Sequence, residues 1–213
     1  MIKKIFLLSV LLSVNLFPQS FVCGGMGIQF QSSPSLTDYL NQNFASPADQ
    51  LSTFTSSIIF SAEGGTRISA NTELALELAY LFNSYTYNYD LGQYDLTYGV
   101  IMPSLIYYYV IDGAGYNFKF GGGAGIRFVN ADEKLPRFTP VEFTSTGFGV
   151  VLKADGNTIL GGNFYANIGG EIRYDVNGEP ENNGSYIRNS VYNENVNFNS
   201  FGFGVRLGIT YQF

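Results

Sequence analysis

From Ser200 to Phe213 the chain alternates without a break. Phe201, Phe203, Val205, Leu207, Ile209, Tyr211 and Phe213 are apolar, and the residues between them are polar or glycine. A period of two is the signature of a strand with one face for oil and one for water. Residues 197–213 are also long enough to cross a bilayer as a tilted strand, which takes roughly 9–11 residues. The same pattern predicts seven more strands, over residues 24–31, 54–68, 72–85, 94–109, 116–128, 144–154 and 158–176. In the third, Leu74, Leu76, Leu78, Tyr80 and Phe82 alternate with Glu73, Ala75, Glu77 and Ala79.

The connections alternate in length. Residues 69–71, 112–115 and 155–157 carry the Asn, Asp and Gly of tight hairpin turns, whereas the links at 32–53, 86–93, 130–143 and 177–195 are longer. In the first long link Leu36, Tyr39, Leu40 and Phe44 recur at helical spacing behind Ser35 and Asp38, which are placed like a capping box. A short helix lying over the barrel mouth or wall is expected there. Fold class is therefore all-β: a closed, antiparallel, eight-stranded, up-and-down transmembrane β-barrel with a short helix in the first long loop.

Eight closed strands leave an interior that side chains just fill. Rows of Phe, Tyr and Leu from every strand would overfill it, so the glycine-rich face is expected inside and the apolar face against lipid. That parity sends Glu63, Arg67, Glu73, Glu77, Lys119, Arg127, Lys153, Glu171, Arg173, Asp175 and Arg206 into the lumen, six basic and five acidic residues. A paired structural network is expected, because an uncompensated buried charge costs several kcal/mol. The fourth strand fits least well. Ile101, Pro103 and Leu105 fall on its expected lumen face, and a bulge or kink is expected near Pro103.

Lys3 and Lys4 followed by the apolar run 5–17 have the form of a secretory signal peptide, expected to span residues 1–20 and leave a barrel domain over 21–213. Without those two lysines nine basic residues face seventeen acidic ones, a net of −8 that disfavours nucleic acid as a partner. The single Cys23 forbids an internal disulfide, and Val22 before it disfavours lipidation. No histidine is present, which removes the usual general base and the commonest zinc ligand. Asp175, Asn177, Glu179 and Glu181 form an oxygen-rich run, but its spacing is not that of a calcium loop. The glycines of residues 121–125 lie within an alternating strand and lack the Lys-Ser/Thr of a phosphate loop. No catalytic residue, metal or cofactor is expected.

The terminal strand closing on Phe213, with the eight-strand pattern, resembles the small OmpA/OmpX-type outer-membrane barrels of bacteria. The resemblance implies an outer-membrane location, and lipid and the barrel-assembly machinery as partners. Ile209, Tyr211 and Phe213 would be the assembly signal. It further implies a non-enzymatic structural or surface role, such as adhesion, partner contact or envelope integrity, with the surface ligand unspecified. A small transport or assembly component and a soluble or lipid-anchored lipocalin-like barrel are the alternatives. Long loops such as 177–195 are expected to add little to stability.

Overall fold

The computed structural model describes residues 19–89 and 92–213. The expected leader, up to residue 18, lies outside the described residues. Eight antiparallel strands form the wall: β1 (Ser20–Ser32), β2 (Thr55–Ser69), β3 (Thr72–Tyr89), β4 (Gly92–Gly113), β5 (Tyr116–Lys134), β6 (Val141–Gly161), β7 (Phe164–Val176) and β8 (Ser200–Gln212). Each pairs with its sequence neighbours, and β8 closes on β1 from Phe21↔Gln212 to Ser32↔Phe201, so no edge is left open. One helix, α1 (Pro34–Asn43), follows β1.

Except in β4, side-chain parity follows the sequence. Leu74, Leu76, Leu78, Phe118, Phe120, Leu207 and Ile209 stand exposed on the outer face, while Glu73, Glu77, Lys119, Arg127 and Arg206 are buried inside. A soluble barrel would carry these sets exchanged, and the lipocalin-like alternative falls with that. Cys23 lies in β1 between Thr210 and Glu63, half-buried and integral to the wall.

Several boundaries differ from expectation. The turn placed at residues 155–157 is absent, since β6 runs on to Gly161 and the chain reverses at Gly162 and Asn163. Gly162, at φ +56°, supplies the left-handed conformation the reversal needs. Asp155 and Asn157 instead point inward, buried among polar partners, and β7 starts at Phe164. The links at 86–93 and 130–143 shrink because β3, β4, β5 and β6 extend into them.

Pro103 also behaves differently. Ile101 and Leu105 are exposed on the outer face with Pro103 between them, and Val100, Met102, Ser104 and Ile106 point inward. Register is unchanged from Ile101↔Phe128 to Ser104↔Gly125, so there is no bulge. The ladder to β5 simply skips Met102 and Pro103, as a residue without an N–H requires.

The wall is lopsided. β7 ends level with Phe148 of β6, and recorded pairing of β2 with β3 stops at Ile58↔Phe82. Beyond those points β3, β4, β5 and β6 rise by roughly 20 Å along the strand direction, joined among the described residues only by a short ribbon of the last loop that pairs with β6 at Thr144↔Glu181. On their outer face the apolar rows give way to Ser84, Thr86, Thr97, Asn130, Asp132 and Thr144.

Candidate functional site: a filled lumen beneath a folded cap

Charge fills the lower and middle lumen in tiers. Nearest the short turns, Arg67 binds Asp112 (2.7 Å) and Glu73 (3.2 Å). Lys119 binds Glu73 (2.7 Å) and lies 3.3 Å from the centroid of the Phe21 ring, which closes this end. Amides follow, with Asn157 donating to Asn117 and accepting from Asn167 and Thr210. At the centre Glu77 receives Lys153 (2.5 Å), Arg173 (2.6 Å) and Arg206 (3.0 Å). Arg173 also binds Glu171 (2.7 Å), Arg206 binds Asp155 (3.1 Å), and Lys153 binds Glu63. The Tyr108 hydroxyl donates to Glu63 (2.9 Å). Above them Arg127 binds Asp175 (2.5 Å) and donates to the Ser104 hydroxyl (3.1 Å).

All eleven residues assigned to the lumen by parity point into this network, with Arg67 at its rim. Asp155 is the member sequence reasoning missed, because a turn was placed on it. The signal was present: Lys153, Asp155 and Asn157 share one parity. With Asp155, and apart from the exposed Asp112, the charged tiers hold six basic and six acidic side chains among the described residues. Glycine on the inner wall makes the space. A Cβ at Gly149 would lie 1.9 Å from Asp175 Oδ1, and one at Gly169 would lie 2.1 Å from Asp155 Oδ1.

The oxygen-rich run near residue 177 is taken apart. Asp175 belongs to Arg127, Asn177 donates to the Phe198 carbonyl, and Glu179 accepts from Asn195. Among the described residues no three Asp, Glu or Cys side chains converge on a metal position.

The far end of the barrel is closed by an apolar core. Leu36, Tyr39 and Leu40 of α1 pack with Ile187, Val196 and Phe198 of the last loop against the inner faces of the tall strands, at Leu81, Leu96, Tyr98 and Val100. This explains the apolar run on both faces of β4: one face meets lipid, and of the other, Leu96, Tyr98, Val100 and Met102 meet the cap core while Ile106, Tyr108 and Val110 pack with Phe21 and Val151 toward the turn end. Tyr39 and Tyr94 both donate to the buried Glu133 carboxylate, and Phe44 stacks on Tyr94 with centroids 3.6 Å apart. The expected capping box does not form. Ser33 is the N-cap without a side-chain bond, Pro34 opens the helix, and Ser35 instead accepts from the Asn197 amide (3.1 Å).

At the turn end Phe213 packs edge-on to Tyr211 (5.0 Å, 83°), Tyr211 packs on Phe164 (5.0 Å), and Ile209 lies exposed on the outer face above them.

No protein-family model and no curated protein sequence matches the chain. Solved structures do. Ail, the attachment invasion locus protein of Yersinia pestis, aligns with a TM-score of 0.52 at 12% identity, over 93% of this chain and 100% of that one. Neisserial surface protein A aligns at 0.50 and 16%, over 92% and 99%. A major outer membrane protein of Thermus thermophilus aligns at 0.50 and 15%, over 91% and 99%. At these identities the likeness is one of fold, and it agrees with the closed ring and the outward apolar rows: the chain has the fold of the small eight-stranded outer-membrane β-barrels.

Proposed function

We propose that the protein is a closed outer-membrane barrel with a non-enzymatic role, exported by its leader, facing the periplasm with its short turns and the exterior with its cap. The observation that carries this reading is the lumen, where Glu77 alone holds three cations and the mouth above is sealed by an apolar core. A path for solutes would need that network broken and the cap displaced. Two interior serine hydroxyls are committed to structure: Ser104 accepts from Arg127 and Ser61 accepts from Arg206 (3.2 Å), and among the described residues no lysine is paired with either as a base. What remains to act is the cap, as a surface for adhesion or partner contact, together with a barrel wall that adds to envelope integrity.

Purified protein in planar bilayers should give no steady conductance, and the native protein should fractionate with the outer membrane. Large, persistent channels that disappear when Glu77 or Arg206 is replaced would establish transport instead.

A further inference from the structure

Resting on the reading that the cap faces the exterior, we infer that the cleft between α1 and the last loop binds a saccharide that is neutral or amine-bearing, not anionic. The cleft measures about 490 Å³ and opens beside the tops of β7, β8 and β1, on the low side of the wall. Three exposed aromatic rings, Tyr174, Phe201 and Tyr192, flank it, the first two continuing the lipid-facing rows of β7 and β8. Between them lie planar amides, including Asn197 and Asn199, and the carboxylates of Asp38 and Glu194. No Lys or Arg contributes to the lining.

The amides are held in fixed orientations by their backbone contacts. Asn199 Oδ1 accepts from the amides of Asn177 (2.9 Å) and Gly178 (3.1 Å), and Asn197 Oδ1 accepts from the Asn199 amide (3.3 Å). Neither Nδ2 has a hydrogen-bond partner among the described residues, so both remain as donors in the lining that Asp38 and Glu194 share. Asn195 donates to Glu179 (2.8 Å), which leaves its carbonyl oxygen as a further acceptor. Fixed donors and acceptors close together suit adjacent hydroxyls, each of which both donates and accepts. Exposed aromatic faces suit the C–H faces of a sugar ring, apolar on one side with a polar rim. A few oriented polar groups in a concave site are what confer specificity on a small ligand. Two carboxylates with no cation repel sulfate, phosphate or a sugar acid, while an amine would be attracted to them.

The test uses the full mature barrel in nanodiscs, probed on a printed array of neutral, amino, sialylated and sulfated oligosaccharides, with hits measured by calorimetry. Binding should be confined to neutral or amino saccharides, and Tyr192→Ala should weaken it at least tenfold. Glu194→Gln should weaken amino-saccharide binding more than neutral. Neither side chain belongs to the buried cap core, so an unchanged amide NMR spectrum of the cap separates lost binding from lost folding. Repeating the measurement with the same glycan free and attached to a lipid in the nanodisc distinguishes a soluble glycan from a membrane glycolipid, and either source supports the site. No binding to any neutral or amino saccharide, preference for sulfated ones, or equal binding by Tyr192→Ala would overturn the proposal. Those results would leave the closed-barrel reading standing, since that depends on conductance and fractionation.

Discussion

Glu77 shows how a single side chain carries a disproportionate share of the interior. It is fully buried, and three cations from three different strands end on its carboxylate. Removing one partner of a buried ion cluster costs about 3–5 kcal/mol, because the remaining charges stay desolvated. Glu77→Gln should therefore lower the temperature at which the barrel loses its heat-modified mobility on a gel, and a second change, Lys153→Gln, should recover part of the loss by restoring charge balance. Asp155 was hidden from sequence reasoning by local chemistry. Asp-Gly-Asn is as good a hairpin signal as the protein contains, yet the inward amide layer needed Asn157 and the network needed Asp155, so the turn moved to Gly162. Tertiary demand overrode turn propensity. Phe213 belongs at this scale too. As the proposed assembly signal, its deletion, or Tyr211→Ser with Phe213→Ser, should leave the protein degraded or aggregated before insertion; unchanged surface levels on whole-cell labelling would remove that role.

Among elements, parity was legible and length was not. Alternation located all eight strands, and it gave the outward face wherever the two environments on either side of the wall differ strongly; on β4, apolar on both faces, it assigned Ile101, Pro103 and Leu105 to the wrong side. It could not show that β3 to β6 outrun their neighbours, since polar residues such as Thr86 and Asn130 on a strand above the membrane read the same as loop. On β4 the faces could not be told apart, because the cap that covers Leu96, Tyr98 and Val100 on the inner face lies far away in sequence. The last loop thus contributes more than a loop normally does. Replacing residues 177–199 by a short turn should leave the β-sheet circular dichroism and the charged tiers intact, but uncover Leu36, Leu40 and Tyr98. Rapid proteolysis within α1 and dye binding to exposed apolar surface should report this, whereas an undisturbed α1 would mean that the strands alone hold it.

For the whole molecule, charge is sorted by height. Interior charges cancel, Asp112 sits at the turn end, and the acidic excess lies above the apolar belt, in residues such as Asp38, Asp49, Asp132, Glu142 and Glu194. Composition alone yields the total of −8 for the chain without Lys3 and Lys4, but only the paired lumen reveals that almost none of it is inside.

The unequal wall has a directional consequence. Strands β3 to β6 stand like the back of a chair, with α1 and the last loop seated against them and the open side over β7, β8 and β1. A visitor to that side meets Tyr174 and Phe201, which continue the lipid-facing rows of β7 and β8, so its site adjoins the outer face of the wall. Access would then depend on which neighbours crowd the same bilayer: a protein packed against β7 and β8 shuts the approach, and one packed against β4 and β5 leaves it open.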